Sequence, residues 1–395
     1  MFLIKKLNRI TVFICFILII STSYAQEIVS VKTYKEEEIS QKFGKDFKGI
    51  SDISALKIVY STTGHKGEPT IASGLLLIPK HTALDKAPFA IYEHGTTSKR
   101  DYVPSELNFQ ADYAANLALN NYITIAPDYI GLGESPGLHP YLHAETEATA
   151  TLDMIRATRC YFKDSLNTKI RNDIYITGYS QGGHAAMATH KYIEENKLTN
   201  EFRINASAPC SGPYSLSKVM YEYILYLNEI KYCDPEIIVH TIIGYQYVYG
   251  DLYTQTGDYF KEPYDSIVDS YIKNDCNFEL NDYFPVELSK FIQDSVIVSW
   301  KNNLNNSFLR ALQKNDLYNW KPEAPLRMYY SKADEKVPYQ NAIMTLSEMK
   351  KNGATNVEAI EVSSTLDHNA TMDSAMQLVL KWFNETESGI VSHLH

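Results

Sequence analysis

Asn172-Asp173-Ile174-Tyr175-Ile176-Thr177-Gly178-Tyr179-Ser180-Gln181-Gly182-Gly183-His184 reads as a β-strand, a sharp turn and the start of a helix. Ile174 to Thr177 is an apolar run of strand length, and the alanine-rich His184-Ala185-Ala186-Met187-Ala188 that follows suits a helix. Between them lies G-x-S-x-G, where glycines two before and two after a serine let the backbone bend without a Cβ clash. Such an elbow lifts the serine hydroxyl clear. A hydroxyl is a weak nucleophile until a base takes its proton, so Ser180 carries chemistry only if a histidine and an orienting acid lie elsewhere.

Working outward, strands and helices alternate. Leu56 to Thr62 and Ile71 to Pro79 read as two strands joined at Thr63-Gly64-His65-Lys66-Gly67, and Pro88 to Glu93 as a third. A helix over Ala111 to Ala118, a strand over Tyr122 to Ala126 and a longer helix over Glu145 to Tyr161 lead into the elbow strand. Phe202 to Ala208, Leu326 to Tyr330 and Val357 to Val362 supply further strands, with a helix around Met372 to Phe383 at the end. This pattern predicts an α/β fold with a mostly parallel central sheet covered by helices on both faces. The alternation stops over residues 213–323, which are helix-leaning and rich in tyrosine, among them Tyr245, Tyr247 and Tyr249. That stretch is expected to be a helical cap inserted between two parts of one core, 26–212 and 324–395. Most of its aromatics suit packing of the insertion to itself and to the core. Because it leaves and re-enters at strand ends beside the elbow, it is also expected to wall the pocket.

Asp334, in Tyr330-Ser331-Lys332-Ala333-Asp334-Glu335, lies just past a strand end, where a loop at the carboxyl edge of a parallel sheet can aim it at the elbow. Glu335 and Asp367 are alternatives for the acid, and Asp334 could instead cap a helix beginning near Pro338. His368 follows the last strand and is the candidate base, in competition with His94, His139, His143 and His184. The order serine, acid, histidine is that of α/β-hydrolases. His139 and His143 are spaced four apart, but Pro140 opposes the helix that would align them as metal ligands, so no metal site is expected. The negative charge that develops during acyl transfer needs donors. The backbone amide of Gln181 supplies one, and the amide of Thr96, in His94-Gly95-Thr96-Thr97, is expected to supply the second, with Gly95 admitting the substrate.

Lys5, Lys6 and Arg9 precede the apolar run Ile10 to Ile20, and Ser23-Tyr24-Ala25 offers a cleavage site, so residues 1–25 read as a signal peptide. The run is short for a membrane span, and Cys15 lacks the small-residue setting of a lipoprotein cysteine; a secreted or periplasmic protein without a stable membrane anchor is expected. Cys160, Cys210, Cys233 and Cys276 would remain, with Cys233 and Cys276 the suggested disulfide pair. The net charge is −10, and no Lys/Arg cluster offers a footprint for nucleic acid. With 45% hydrophobic and 21% charged residues the chain can bury a large core.

Glu93-His94-Gly95-Thr96-Thr97, Ala126-Pro127-Asp128-Tyr129-Ile130-Gly131-Leu132-Gly133 continuing through Gly137-Leu138-His139-Pro140-Tyr141, and the elbow together resemble the secretory lipases of the α/β-hydrolase superfamily. The similarity covers roughly residues 70–215 and resumes at Asp334 and His368. It implies a capped hydrolase core, a Ser180/Asp334/His368 triad, and esterase or lipase activity on a small-molecule ester without a cofactor. It also puts Gly95, Tyr129 and Tyr179 near the substrate. The cap carries no such match, so the long-chain preference of these lipases is not implied. Its tyrosines suggest an amphipathic substrate of short to medium acyl length. An acetyl or feruloyl esterase is the nearest alternative; a serine peptidase, or a hydrolase fold that binds without catalysis, is more remote.

Overall fold

A computed structural model of the 395-residue chain describes residues 27–43, 49–226, 234–274 and 278–389. The leader sequence and the Cys233–Cys276 pairing lie outside these residues. Within them Cys160 and Cys210 are free thiols.

Among the described residues nine strands form one sheet in the order β1-β2-β3-β5-β4-β6-β7-β8-β9. They are β1 (Ile28–Thr33), β2 (Ile53–Thr63), β3 (Pro69–Pro79), β4 (Phe89–Glu93), β5 (Ile123–Pro127), β6 (Asp173–Tyr179), β7 (Arg203–Cys210), β8 (Leu326–Ser331) and β9 (Val357–Ser363). β2 and β3 pair antiparallel as a long hairpin, and every neighbour from β5 through β9 is parallel. β4, β5 and β6 are buried along their whole length, which is why they read as near-continuous apolar runs.

Helices α1 (Glu36–Phe43), α2 (Asp112–Leu119), α3 (Ala144–Ser165) and α4 (Gln181–Glu195) belong to the first part of the core. Between β7 and β8 come α5 (Tyr221–Tyr226), α6 (Pro235–Tyr249), α7 (Tyr264–Lys273), α8 (Leu288–Phe291), α9 (Asp294–Asn302) and α10 (Ser307–Lys314). α11 (Gln340–Lys351) and α12 (His368–Glu387) close the chain. Strand side chains alternate between two apolar layers. Tyr92, Tyr175 and Ala208 pack with Leu117 of α2 and Phe383 of α12, whereas Ile91 and Ile176 pack with Ile155 of α3 and Ile193 of α4. The helices between β7 and β8 have their own core around Phe260, Trp300 and Phe308. That core takes in Tyr141 and Leu142 from the β5–α3 connection and Val337 from the β8–α11 connection, so it sits over the carboxyl edge of the sheet.

Two features depart from the sequence reading. The alternation starts earlier, because β1 adds an edge strand to β2. Most of β1 is exposed, so it lacks the half-buried alternation by which a strand is recognised. The last helix begins at His368 rather than near Met372, because Asp367 caps it by accepting from the amide of Ala370 at 2.8 Å.

Candidate active site

Ser180 joins β6 to α4 with φ 60° and ψ −119°, a conformation costing on the order of 1–3 kcal/mol for a residue with a side chain. Its amide donates to Cys210 O at 3.0 Å and its carbonyl accepts from His184 N at 3.1 Å, which hold the bend. The motif glycine at 182 answers to a close approach: a Cβ there would lie 1.9 Å from the carbonyl oxygen of Glu93. α4 can therefore start hard against the end of β4, beside the loop that carries Gly95 and Thr96.

Asp334 and His368 meet across the β8 and β9 connections. The imidazole Nδ1 lies 2.9 Å from Oδ1 and 2.8 Å from Oδ2 of Asp334, and both side chains are buried. Amides of Lys336 at 3.1 Å and Val337 at 2.8 Å also donate to Asp334 Oδ1, so the carboxylate is oriented by its own loop. It is not the cap of α11, which starts at Gln340. With Nδ1 committed to Asp334, Nε2 is the basic nitrogen. The other candidate acids have different partners: Asp367 caps α12, and Glu335 Oε2 accepts from the His368 amide at 2.9 Å. Tyr179, next to Ser180, donates from its hydroxyl to the His368 carbonyl at 2.6 Å, and the two rings lie 5.1 Å apart. The histidine backbone is thus tied on one side to the acid loop and on the other to the elbow.

Gln181 is the first residue of α4, where a main-chain N–H has no intrahelical acceptor. Gly95 and Thr96 are half-buried, and a Cβ on Gly95 would be 3.6 Å from Tyr179 O, which puts this loop against the elbow. The Gln110 side chain donates to Thr96 O at 3.3 Å. Tyr129 and Tyr179 have almost no accessible surface. Tyr129 stacks on His94 at 4.3 Å and donates to its carbonyl oxygen at 2.9 Å, so it braces the loop from behind. The Nδ1 atoms of His139 and His143 face Ile130 O at 2.8 Å and Thr146 Oγ1 at 3.1 Å. Among the described residues no group of three or more His, Cys, Asp or Glu is placed to hold a metal ion.

One buried acid under the site escaped the sequence reading. Glu93 ends β4 and accepts from Thr151 Oγ1 at 2.8 Å; burial, with Glu147 nearby, pushes its carboxyl up to about 8. The unfolded chain would release that proton near the ordinary value of 4.5. Between these values the native state holds the extra proton, so this group's contribution to stability is full below pH 4.5 and is lost as pH rises through about 8. Glu93→Gln removes that dependence. Its thermal midpoint, compared with wild type by differential scanning fluorimetry, should gain steadily from pH 5 to pH 9, by a few degrees at the upper end. A constant offset across that range would contradict it.

A secreted triacylglycerol lipase, LIP7 of Malassezia globosa, is 23% identical over 360 residues, spanning 85% of this chain and 72% of that protein. Among solved structures, the rice cell wall degrading esterase LipA from Xanthomonas oryzae superposes with a TM-score of 0.77 at 26% identity, over 91% of this chain and 97% of LipA. Candida antarctica lipase A shares the fold with a TM-score of 0.69 at 16% identity, over 93% of this chain and 83% of that lipase. No family profile matches the chain. Fold and site together define an α/β-hydrolase. Within that superfamily the chain is similar to lipases and esterases, and its enzyme class is carboxylic ester hydrolase.

Proposed function

We propose that the chain is an exported serine esterase that cleaves esters of short to medium acyl length through an acyl-enzyme on Ser180. The observation that carries this reading is the Asp334–His368 pair, whose backbone is tied through the Tyr179 hydroxyl to the residue beside a strained elbow serine. His368 takes the proton of Ser180 as the hydroxyl attacks the ester carbonyl. The amides of Gln181 and Thr96 receive the oxyanion, and the imidazolium returns its proton to the departing alcohol. Water, activated by the same imidazole, then releases the acid. Asp334 holds the tautomer and stabilises the transient charge. Export rests on the leader-like residues 1–25 and on the secreted relative. No helix among the described residues is long and apolar enough to cross a membrane.

Residues 213–323 act in this reading as the cap that sets acyl length. Tyr245 donates to Leu142 O at 3.2 Å on the core side and serves to anchor it, whereas Tyr249 accepts from the Asn315 side chain at 2.8 Å within the cap itself. Tyr223 is half-buried and donates to Glu335 O at 2.9 Å, next to the acid loop, so it is the better probe of the pocket wall. A closed apolar cap would add about 0.8 kcal/mol per buried methylene, or about two hundredfold in kcat/KM for four carbons. A mixed aromatic and polar wall gives no such rise. On p-nitrophenyl esters from acetate to palmitate, activity should peak at short or medium chains, and Tyr223→Ala should move the peak to longer ones. A profile rising steadily to palmitate would make the enzyme a long-chain lipase.

The likeness to LipA, a cell wall degrading esterase, favours one second reading, an esterase acting on acyl groups carried by plant polysaccharide. Acetylated xylan and feruloylated arabinoxylan, offered beside the p-nitrophenyl series, distinguish the two.

A further inference from the structure

The segment Ile130 to His143, between β5 and α3, makes two contacts that the reaction as described does not use. At its end, Tyr141 N donates to His139 O at 2.8 Å and His143 N to Pro140 O at 3.0 Å, a tight turn around Pro140. On one side of the turn, the imidazole Nε2 of His139 lies 2.8 Å from Nε2 of the Gln181 side chain. On the other, the hydroxyls of Tyr141 and Thr96 share a hydrogen bond of 2.7 Å. Gln181 and Thr96 are the two residues whose amides are read above as the oxyanion donors. One turn therefore touches both halves of the hole.

Proton placement in this cluster follows from geometry. His139 Nδ1 faces the carbonyl oxygen of Ile130 at 2.8 Å and must carry the hydrogen, which leaves Nε2 as an acceptor. Burial pushes this imidazole down to about 3, in keeping with the neutral form. The Gln181 amide nitrogen consequently donates to His139, and with its second hydrogen to Glu147 Oε1 at 3.3 Å. Glu147 Oε2 in turn lies 2.6 Å from His184 Nδ1, while His184 Nε2 faces the carbonyl oxygen of Asn315 at 3.2 Å. Both ring nitrogens of His184 face acceptors. Glu147 and His184 are both buried, so this contact fixes the carboxyl that receives the Gln181 side chain. The turn itself is backed by α6: a Cβ on Gly244 would be 2.7 Å from Tyr141 N, so only glycine lets that helix lie against it.

We infer that the His139-Pro140-Tyr141 turn, with the Glu147–His184 pair behind it, is a brace that sets the spacing of the two oxyanion donors. Tyr141, His139 and Glu147 are positioning residues: they act through Thr96 and Gln181 and not on the substrate. The inference rests on the proposed serine-esterase reading. Donors held by a common rigid element need no rearrangement as charge develops, which is where an oxyanion hole acts.

The test reads the hole directly. Tyr141→Phe removes one hydroxyl, and Thr96→Val removes the other partner of the same bond while keeping the backbone amide. Each should lower kcat on p-nitrophenyl butyrate about tenfold with KM within about twofold. Each should weaken a trifluoromethyl ketone, which forms an oxyanionic adduct with the nucleophile, by the same factor. The double variant should be no worse than either single one, because both break one bond. Glu147→Gln and Gln181→Ala form a second cycle with the same expectation, and Gln181→Ala speaks for that side if Glu147→Gln does not fold. Lower thermal stability with unchanged kcat and inhibitor affinity would overturn the brace, as would additive losses in the first cycle. Fluorophosphonate labelling of wild type separates the two levels. An unlabelled Ser180 sinks the esterase reading itself, whereas a labelled Ser180 with an unaffected Tyr141→Phe variant sinks only the brace.

Discussion

Ser180→Ala lowers kcat for ester hydrolysis by on the order of 10⁴ to 10⁶ and leaves the thermal midpoint within a few degrees of wild type. Loss of the nucleophile closes the acyl-enzyme route, and what remains is the modest acceleration that binding and the oxyanion donors give to attack by water. The fold should tolerate the change because the bonds that hold the elbow are main-chain ones, Ser180 N to Cys210 O and His184 N to Ser180 O. Alanine meets the same φ of 60° as serine and adds no atom next to Glu93. Steady-state hydrolysis of p-nitrophenyl butyrate, with circular dichroism to check folding, measures both halves. More than a tenth of wild-type activity in a well-folded variant would rule out Ser180 as nucleophile. It would also revive the idea of a hydrolase fold used for binding alone.

The second large effect belongs to the acid. Asp334→Asn should lower kcat by about 10³ to 10⁴ with KM little changed, since an amide nitrogen facing Nδ1 favours the imidazole tautomer that cannot act as base. The loop should survive, because the side-chain oxygen of asparagine can still accept from the amides of Lys336 and Val337. Two controls sharpen the measurement. Asp367→Asn keeps a good helix cap on α12, and Glu335→Gln keeps an acceptor for the His368 amide, so both should stay within about tenfold of wild type. A silent Asp334→Asn beside a crippled Glu335→Gln would transfer the role of acid to Glu335.

Much of this was legible in the chain because the chemistry is local there. Glycines around Ser180, an apolar run before it and a helix-forming run after it describe one strand, one turn and one helix, each set by near neighbours. The same holds for the parallel strands, which announce themselves by being apolar on both faces. Elements without such a signature were not legible: β1 is an exposed edge strand with little apolar alternation, and the first turn of α12 depends on whether Asp367 caps or catalyses.

That last ambiguity shows where sequence stops. The sequence favours Asp334 for its place past a strand end but leaves Glu335 and Asp367 open, and their distances to His368 separate them: one carboxylate faces Nδ1, one takes the backbone N–H and one caps the helix. Tyr129 looks like a pocket residue in its motif, yet it is wholly buried behind the loop. The pairs Thr96–Tyr141 and Glu147–His184 join residues 45 and 37 positions apart, brought together by the stacking of α3, α4 and the β5–α3 turn. By itself the sequence determined what short-range spacing can encode, namely a serine at a strand-to-helix elbow and the order in which its proposed partners follow. Which acid meets the histidine, and what braces the elbow and its neighbouring loop, the tertiary structure alone decided, because hydrogen bonds depend on ångström-scale separations that no spacing along the chain specifies.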